Sequence, residues 1–551
     1  MAVAHTLTND SQLFTHSGSV VHYRSVRTVP AVVLLIMAIA PWVTAQVSAR
    51  QVAITTYHYN NYRTGWNLSE SKLTPANVSS ANFGLLYTVA LDERVDAQPL
   101  VMPSVSVTAG SFQGVHNVVY VATGNNTVYM IDADNGTVLW SQNLGNPVST
   151  MVGCDGSIAR NSGITSTPVI DTVGRTLYVV AYTRDLSGPT YRIHALDLGN
   201  LSDKVTPQIV SAFHNLSNGA RYSFNAAYQV QRPGLLLANG NVYAGFGSHC
   251  DADRTVSRGW LLGWNAASLT PLPANQLLDS QVTPPTNIFL SSIWMSGYGL
   301  AADDSGNVLF VTGNSGAGTY DGVTNLQESV VKVPPDLSTV LDLFTPSNQV
   351  VLDQEDLDFA SGGVMVLPDQ SGPIPHLAVA AGKAGTMFLM NESDLGGYSP
   401  VMNHVLGSYS VGVCFCGQSY FVDPDGAPRV VSSGGVSLMV WKLTTSPAPT
   451  LNIVGSSQIL SGQTPGFFTT ISSNGASSPV VWALSHANQQ NIYLYAFDPD
   501  SHPGGVITQL FSGIAGSWPV SHANANLVPV VANGKVYVAT YKQLAIFGLM
   551  H

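Results

Sequence analysis

The pattern of apolar and polar residues predicts short β-strands separated by tight turns. Val118–Thr123 and Thr127–Asp132 are runs of β-branched and aromatic residues, and Thr137–Ser141 is a third run close behind them. The intervening residues 124–126 and 134–136 are glycine, asparagine and aspartate, which accept positive φ in turns. One such unit cannot bury both of its faces, so it needs neighbouring copies of itself.

Weaker copies of the first two strands recur along the chain. The copies are Thr176–Ala181 with Tyr191–Asp197, Asn241–Phe246 with Gly259–Asn265, Asn307–Thr312 with Ser329–Val333, His376–Ala381 with Thr386–Asn391, Arg429–Ser432 with Ser437–Lys442, Val480–Leu484 with Ile492–Asp498, and Lys535–Thr540 with Gln543–Phe547. Their spacing of about 40 to 65 residues fits propeller blades. We therefore predict an all-β, eight-bladed β-propeller of four-stranded antiparallel blades, with seven blades as the alternative because the unit at Ser419–Lys442 is poorly marked.

A strand near the start of the chain is predicted to close this ring. Phe83–Leu91 is apolar and has no partner nearby in the sequence, while the last unit, which ends at Phe547, lacks its outermost strand. Pairing the two would remove the exposed sheet edges of an open ring.

The first 45 residues are predicted to be a secretory signal peptide with a long leader. Ala31–Ala40 is an apolar run, and Val43-Thr44-Ala45 supplies small residues where a signal peptidase cleaves. The mature chain would begin near Gln46 and be secreted or periplasmic, and an uncleaved anchor is the alternative and would be its only membrane contact. Residues 46–82 are interpreted as an N-terminal surface arm, and residues 83–551 as a single propeller domain.

Charge excludes two classes of partner. The net charge is −11, only 10% of the residues are charged, and no basic run is present. Nucleic acids and anionic membrane surfaces are therefore not expected to bind.

The four cysteines are Cys154, Cys250, Cys414 and Cys416. Export would permit disulfides, and four cysteines allow three pairings. We predict that Cys414 and Cys416 do not bridge each other, because the ring would be small and strained.

The unit from Val119 to Trp140 resembles the repeat of pyrroloquinoline-quinone (PQQ) type β-propellers, which include quinoprotein alcohol dehydrogenases and outer-membrane assembly propellers. The wider pattern is similar to exported bacterial PQQ-like propellers of unassigned activity. Stretches that carry this likeness include Tyr59-Asn60-Asn61-Tyr62-Arg63-Thr64-Gly65, Asp96-Ala97-Gln98-Pro99-Leu100, Gln231-Arg232-Pro233-Gly234 and Ile293-Trp294-Met295-Ser296-Gly297.

The resemblance makes PQQ and calcium possible cofactors, but the sequence departs from the active enzymes. Those enzymes resemble one another in a vicinal Cys-Cys pair over the quinone, whereas this chain has Cys414-Phe415-Cys416. The calcium ligands and the catalytic aspartate of those enzymes have no assignable counterparts in this chain. We therefore predict no catalytic residue, and PQQ and calcium stay possible cofactors only.

Polar residues at the start of the innermost strands are expected to face the central funnel of a propeller. These ligand-pocket candidates are Gln98, Thr165, Gln231, Arg232, Trp294, Ser296, Asp358 and Asn526. Arg232 could hold a carboxylate through a bidentate contact, or form a structural salt bridge with Asp358. Trp294 could stack on a planar ligand, or pack in the core.

Two further features extend this candidate site. Lys383 lies in a glycine-flanked turn, where it could contact an anion or carbonyl or be a solvated lysine. Asp356 and Asp358 belong to the densest acidic cluster and could bind calcium, although their spacing does not match an EF-hand.

Long insertions between strands supply further surface for binding. They fall at Leu186–Thr190, Asn200–Gln229, His249–Arg258, Ala266–Ser291 and Gly316–Gln327.

Three functions remain open at this point. The first is a binding or scaffold module for a small-molecule or protein ligand at the funnel, without an intact quinone site. The second is a PQQ-dependent alcohol or sugar dehydrogenase with a divergent site, using Arg232, Trp294 and calcium at Asp356 or Asp358. The third is a carbohydrate-binding propeller whose funnel aromatics hold sugar.

Overall fold

Four-stranded antiparallel sheets form eight blades of a β-propeller, as the sequence predicts. The structure is a computed structural model, and it describes residues 51–149, 161–249, 257–282, 290–460, 466–486, 490–500, 505–518 and 526–550. The predicted signal segment, Cys154 and Cys250 lie outside the described residues. The unit at Ser419–Lys442 is a complete blade, which decides for eight blades over seven.

The strands are given from the innermost to the outermost position of each blade. Blades 1 to 4 are Leu100–Val107, Gly114–Ala122, Thr127–Asp132 and Val138–Asn143; Val169–Asp171, Thr176–Asp185, Gly188–Asp197 and Gln208–Ile209; Leu236–Ala238, Asn241–Ser248, Trp260–Asn265 and Gln276–Leu277; and Ala301–Ala302, Val308–Val311, Val330–Val333 and Asp342–Thr345. Blades 5 to 8 are Val364–Val366, Leu377–Ala381, Thr386–Asn391 and Gly407–Ser410; Ser419–Val422, Pro428–Ser432, Met439–Thr444 and Thr450–Ser456; Phe468–Asn474, Ser477–Ser485, Asn491–Asp498 and Thr508–Ser517; and Val530–Ala532, Lys535–Ala539, Tyr541–Leu549 and Phe83–Arg94.

Short elements complete the described fold. A hairpin pairs Phe213–Asn215 with Arg221–Ser223, and one α-helix spans Gln349–Gln354. Two 3₁₀ turns cover Met295–Gly297 and Phe359–Ser361. The remaining short strands are Trp66–Asn67, Gln229–Val230, Gly397–Tyr398 and Gly505–Val506. Within the described residues, no helix has the length and apolarity needed to span a membrane.

Blade 1 shows how the sequence pattern produces the sheet. Its second strand places Val118, Val119 and Val121 in the interior, because neighbouring blades cover both faces of each sheet. The turns contain Asn126 at φ 61° and Gly136 at φ 76°, so the predicted positive-φ positions are confirmed.

The ring is closed by the strand near the start of the chain, as predicted. Phe83–Arg94 pairs antiparallel with Tyr541–Leu549, from Phe83 opposite Leu549 to Arg94 opposite Tyr541. Phe83 is fully buried, and its ring lies 5.3 Å from Trp482 of blade 7 and 5.0 Å from Phe511, centroid to centroid. The strand therefore seals the gap between the last blade and its neighbour.

The prediction of a surface arm needs correcting for residues 54–67. This segment, which we call the hub arm, is largely buried. It forms hydrogen bonds with the innermost strand of every blade. The contacts are Ile54 with Val101, Thr55 with Ile170, Asn61 with Leu237 and Ala302, Tyr62 with Val366, Thr64 with Tyr420, Gly65 with Ile471, and Tyr59 with Val531. The innermost strands border the central channel, so the hub arm lies inside it, where it satisfies their free edges.

Arg63 is the centre of the hub arm. Its guanidinium is fully buried and donates to four carbonyl oxygens and one hydroxyl. These acceptors are Leu300 O, Tyr57 O, Asn60 O, Leu235 O and Thr56 Oγ1, at 2.6 to 3.2 Å. Burial lowers the pKa of Arg63 to about 10, so the side chain stays charged at neutral pH. One side chain thus joins the hub arm to blades 3 and 4.

Candidate functional site

The strongest charge pairing at the funnel joins two loops of blade 5. Lys383 lies in the turn between the second and third strands, and its Nζ contacts Oδ2 of Asp358 at 2.5 Å and Oδ1 of Asp356 at 3.2 Å. Asp358 is buried, whereas the side chain of Asp356 is 70% exposed. Burial opposes the charge on Lys383, but the two carboxylates outweigh it and raise its pKa.

Asn314 holds both carboxylates from the neighbouring blade. Its backbone N–H donates to Asp358 Oδ1 at 3.1 Å, and its side-chain Nδ2 donates to Asp356 Oδ1 at 3.0 Å. Its buried Oδ1 has no hydrogen-bond partner among the described residues. Asn314 therefore positions the acidic groups and leaves one acceptor unused.

Two aromatic rings lie against the same ammonium. The ring centroids of Trp294 and Phe415 are 5.5 Å apart at an angle of 60°. Lys383 Nζ lies 5.7 Å from the Trp294 centroid and 5.6 Å from that of Phe415. Both rings are half-buried, and at this distance a cation is attracted to their faces. Trp294, Asn314, Asp356, Asp358, Lys383 and Phe415 are called the funnel cluster below.

Phe415 is held in place by a disulfide that we did not expect. Cys414 and Cys416 are bridged, so the prediction that they remain unpaired with each other is wrong. The chain bends here and brings their Cα atoms to 4.8 Å, within the range of ordinary disulfides. The ring is small, yet this bend removes the misfit that the strain argument assumed.

Buried hydrogen bonds connect the hub arm to the loops that carry Trp294 and Phe415. Tyr298, which follows the turn after Trp294, donates its hydroxyl to Arg63 O at 2.8 Å and contacts Gln418 O at 3.1 Å. The Gln418 amide Nε2 in turn lies 3.8 Å from Cys414 Sγ and 3.9 Å from Cys416 Sγ. Both aromatic loops are therefore tied to the same buried segment.

Two further carboxyl groups lie next to the funnel cluster. Glu328 is buried; Oε2 accepts from the Phe359 N–H at 2.5 Å, and Oε1 has no partner among the described residues. Burial, with the charges of Asp358 and Asp353, raises the pKa of Glu328 well above its ordinary value. Burial also raises the pKa of Asp353 to about 7. Acidic groups thus outnumber the one lysine here.

Four residues in or next to the funnel cluster have a left-handed backbone, among eighteen such non-glycine residues in the described chain. Met295, Ser296, Glu328 and Asp356 have φ between 45° and 54°, in the left-handed region that residues with side chains rarely adopt. Such positions cluster at binding and active sites, where the surroundings must hold them. This agrees with the funnel cluster being a built site.

Three predicted pocket residues are buried and hydrogen-bonded within the protein. Gln98 is buried and bonds the hub arm through His58 N and Thr56 O. Ser296 is buried and donates to Ser361 O at 2.6 Å. Gln231 donates Nε2 to Pro233 O at 2.8 Å, and its Oε1 is buried without a partner in the described part of the chain.

Arg232 stands apart from these residues. It is half-buried, and no hydrogen bond or ion pair joins it to the described residues. Burial lowers its pKa, with Asp96 and Arg94 acting in opposite directions. Asp358 pairs with Lys383, so the alternative salt bridge between Arg232 and Asp358 is not observed.

Comparison with known proteins agrees with this architecture. The PQQ_2 family model, described as outer membrane protein assembly factor BamB, matches residues 61–197. The quinohemoprotein alcohol dehydrogenase of Comamonas testosteroni superposes with a TM-score of 0.57 at 12% identity, covering 91% of this chain and 81% of that enzyme. Residues 61–197 therefore match a PQQ-like repeat, and the whole chain has the β-propeller fold of these enzymes.

Other solved structures give the same picture. Quinohemoprotein alcohol dehydrogenase ADHIIG of Pseudomonas putida HK5 has a TM-score of 0.55 at 13% identity, covering 90% of this propeller and 80% of that chain. A europium-containing methanol dehydrogenase has a TM-score of 0.54 at 10% identity, covering 90% and 98%. No curated protein sequence matches the chain. At these identities the likeness establishes the propeller fold and leaves the chemistry of this chain open.

The funnel cluster does not fit a flat cofactor between its two rings. A planar ring stacked on both sides needs about 7 Å between its neighbours, since each stacking contact takes about 3.5 Å. Trp294 and Phe415 are 5.5 Å apart and tilted. Trp294 and Phe415 therefore do not form the two sides of a quinone sandwich.

Calcium at Asp356 and Asp358 stays a prediction. The ammonium of Lys383 and the donors of Asn314 already occupy oxygens of both carboxylates. Among the described residues, no group of three or more His, Cys, Asp and Glu side chains is arranged to hold a metal ion.

Sequence reasoning missed Asn314, Phe415 and Glu328. A signal for Asn314 was present, because Thr123-Gly124-Asn125, Thr312-Gly313-Asn314 and Ala381-Gly382-Lys383 occupy the same turn in three blades. Aligning those turns would have placed Asn314 and Lys383 in equivalent positions. Phe415 and Glu328 carried no such signal, since long-range packing alone brings them to the funnel.

Proposed function

We propose that this PQQ-like propeller is a binding module whose small-molecule or protein ligand docks at the funnel cluster. The observation that carries the proposal is the contact of Phe415 with Trp294, with Lys383 beside both rings. The contact fills the space that a quinone would need, while Asp356 and the edges of both aromatic rings remain reachable from solvent.

The chemistry of the cluster defines what it would recognise. Asp356 is an exposed acceptor, and Lys383 retains only 15% exposure behind it. Half-buried aromatic rings add an apolar contact with a polar border, a combination typical of ligand sites with few fixed polar groups. A ligand with hydrogen-bond donors around an apolar face matches this arrangement.

One experiment separates binding from quinone chemistry. The purified mature chain is mixed with PQQ and calcium, PQQ binding is followed by equilibrium dialysis, and dye reduction is assayed with alcohols and sugars. We expect neither retention of PQQ nor dye reduction. Retention of PQQ at micromolar concentration together with dye reduction would overturn the proposal.

A second measurement tests the site itself. Thermal shifts are recorded with defined sets of sugars, organic acids and amines for the wild type, Asp356→Asn and the control Asp369→Asn, whose carboxylate is 62% exposed beside His376. We expect at least one compound to raise Tm in the wild type and the control and to lose this effect in Asp356→Asn. An equal shift in all three proteins would place the ligand elsewhere.

A PQQ-dependent oxidoreductase is the second candidate. It is favoured by the fold shared with quinohemoprotein alcohol dehydrogenases and by the carboxylate–ammonium pair of Asp358 and Lys383 beside Trp294. For that reading Phe415 would have to move away from Trp294. The reconstitution experiment described above decides between the two functions.

We also propose that the protein is exported. The apolar run Ala31–Ala40 and the small residues before Gln46 support a cleaved signal. N-terminal sequencing of protein recovered from the periplasm or medium should begin near Gln46, and an intact N-terminus in a membrane fraction would contradict cleavage.

A further inference from the structure

A large cleft lies between the outer strands of blades 3 and 4, formed by three insertions of the chain. Its volume is about 1270 Å³. Its walls contain Phe213 and Arg221 from the insertion 200–229, Asn275 from the insertion 266–291, and Val323 from the insertion 316–327. None of these residues belongs to the funnel cluster. Three of the five long insertions therefore converge on one surface.

The hairpin that overhangs this cleft is fixed to blade 3. Asn275 donates Nδ2 to Phe213 O at 3.2 Å, and its Oδ1 lies 3.1 Å from His214 Nδ1. Ser217 N donates to Ser280 O at 2.8 Å. The side chains of the hairpin are thus presented to the cleft in a fixed position, which reduces the entropy lost on binding.

One cationic side chain of the cleft is available to an anionic group of a ligand. Arg221, His214 and Asp342 are the ionisable residues among those that line it. The two carboxylate oxygens of Asp342 accept backbone N–H groups of Leu343 and Leu395, each at 2.8 Å. These neutral donors do not cancel the charge of Asp342, but they engage both of its oxygens. Arg221 is therefore the ionic side chain of the lining whose hydrogen-bonding groups are not engaged by the described residues.

Arg221 is arranged as a receptor for a carboxylate. Its guanidinium carbon lies 3.9 Å from the centroid of the Phe213 ring, and no hydrogen bond engages the guanidinium within the described residues. A guanidinium stacked on a ring keeps its N–H edge free for a bidentate contact. The stacking fixes the orientation of the group before any ligand arrives.

The other lining groups distinguish a sugar from a peptide. Ser211, Asn215, Ser223 and Ser338 offer hydroxyl and amide groups along the walls. Strand addition by a peptide would need free backbone groups at the edge of blade 4, but the Leu343 N–H is capped by Asp342 and the edge pairs with Gly397–Tyr398. The edge of blade 4 is therefore not free for strand addition, and the polar side chains of the walls suit a hydroxyl-rich molecule.

We infer that this cleft binds an acidic oligosaccharide, with a uronate carboxylate held by Arg221 and sugar hydroxyls held by the polar walls. The site is separate from the funnel cluster and does not depend on the function proposed for it. The ligand is recognised by one carboxylate at Arg221 and by hydroxyl groups along the walls, and the volume of about 1270 Å³ leaves room for several sugar units.

Isothermal titration with a hexameric oligogalacturonate tests this inference. The wild type is compared with Arg221→Gln and with the matched control Arg175→Gln, which removes an exposed arginine of blade 2 away from the cleft. We expect binding that weakens with salt, at least a tenfold loss in Arg221→Gln, and no change in the control. Circular dichroism and Tm confirm that both variants are folded.

Two further ligands test whether binding needs both the carboxylates and the sugar hydroxyls. The fully methyl-esterified, neutral hexamer should bind at least tenfold more weakly, and an acidic hexapeptide of aspartate should not compete. Absence of binding by the wild type, equal binding by Arg221→Gln, or equal competition by the peptide would each overturn the assignment.

Discussion

Lys383 Nζ lies 2.5 Å from Asp358 Oδ2, and the carboxylate of Asp358 is 1% exposed. Burial raises the pKa of Asp358, while the ammonium and the Asn314 N–H favour the charged form. The two side chains come from different loops of blade 5. The pair therefore determines how these loops meet at the funnel.

Removing one partner of this pair should be costly. In Lys383→Met, Asp358 would be left as a buried carboxylate without its cation, and we expect a loss of about 3–5 kcal/mol in the free energy of unfolding at pH 8. Urea denaturation measures this loss. Adding Asp358→Asn to the variant should recover most of it, and a double variant as unstable as the single one would contradict the explanation.

Asp353 should make stability depend on pH. Burial raises its pKa to about 7 from an ordinary value near 3.8. Between these values the folded chain holds a proton that the unfolded chain has released, so stability falls as pH rises from about 4 to about 7, by about 4 kcal/mol at most. Tm measured across this range should fall less in Asp353→Asn than in the wild type. The exposed Asp369→Asn should keep the wild-type slope.

The closing strand offers a matched pair of substitutions. Phe83 is fully buried among the rings of Trp482, Phe511 and Phe547, whereas Leu85 on the same strand is 50% exposed. Phe83→Ala should cost about 3–5 kcal/mol, and Leu85→Ala about 0.5 kcal/mol or less. Equal losses in guanidinium denaturation would show that this strand does not hold blades 7 and 8 together.

Arg63 should be more sensitive than any exposed arginine. Arg63→Leu leaves four buried acceptors without their donor, so we expect at least about 3 kcal/mol of destabilisation in urea. Arg63→Lys keeps the charge but cannot reach all of these acceptors, and it should recover only part of the loss. Arg184→Leu, on the surface of blade 2, is the control and should behave like the wild type.

The repeated strands could be predicted from sequence because each blade carries its own local signal. β-Branched runs and glycine or asparagine turns mark most units, and the unpaired Phe83–Leu91 pointed to the closing strand. The hub arm could not be found this way. Its residues are polar and aromatic, and only hydrogen bonds to eight distant strands explain why Arg63 and His58 are buried.

The residues of the candidate site were likewise predicted only in part. Trp294 and Asp358 were predicted because they stand at the start of innermost strands, and Lys383 because it lies in a glycine-flanked turn; the structure brings these three side chains together. Gln98 and Ser296 stand at similar positions but are used by the hub arm and by Ser361. Strand position gives the direction of a side chain, whereas the partner that occupies it depends on segments far away in the chain.

The hub arm bonds to the first blade and to the last one. It can reach its final state only after the whole chain has been made and, if the protein is exported, has crossed the membrane. Detaching any blade breaks its contact with the hub arm, so we expect force applied to the two termini to unfold the propeller in one cooperative step and not blade by blade.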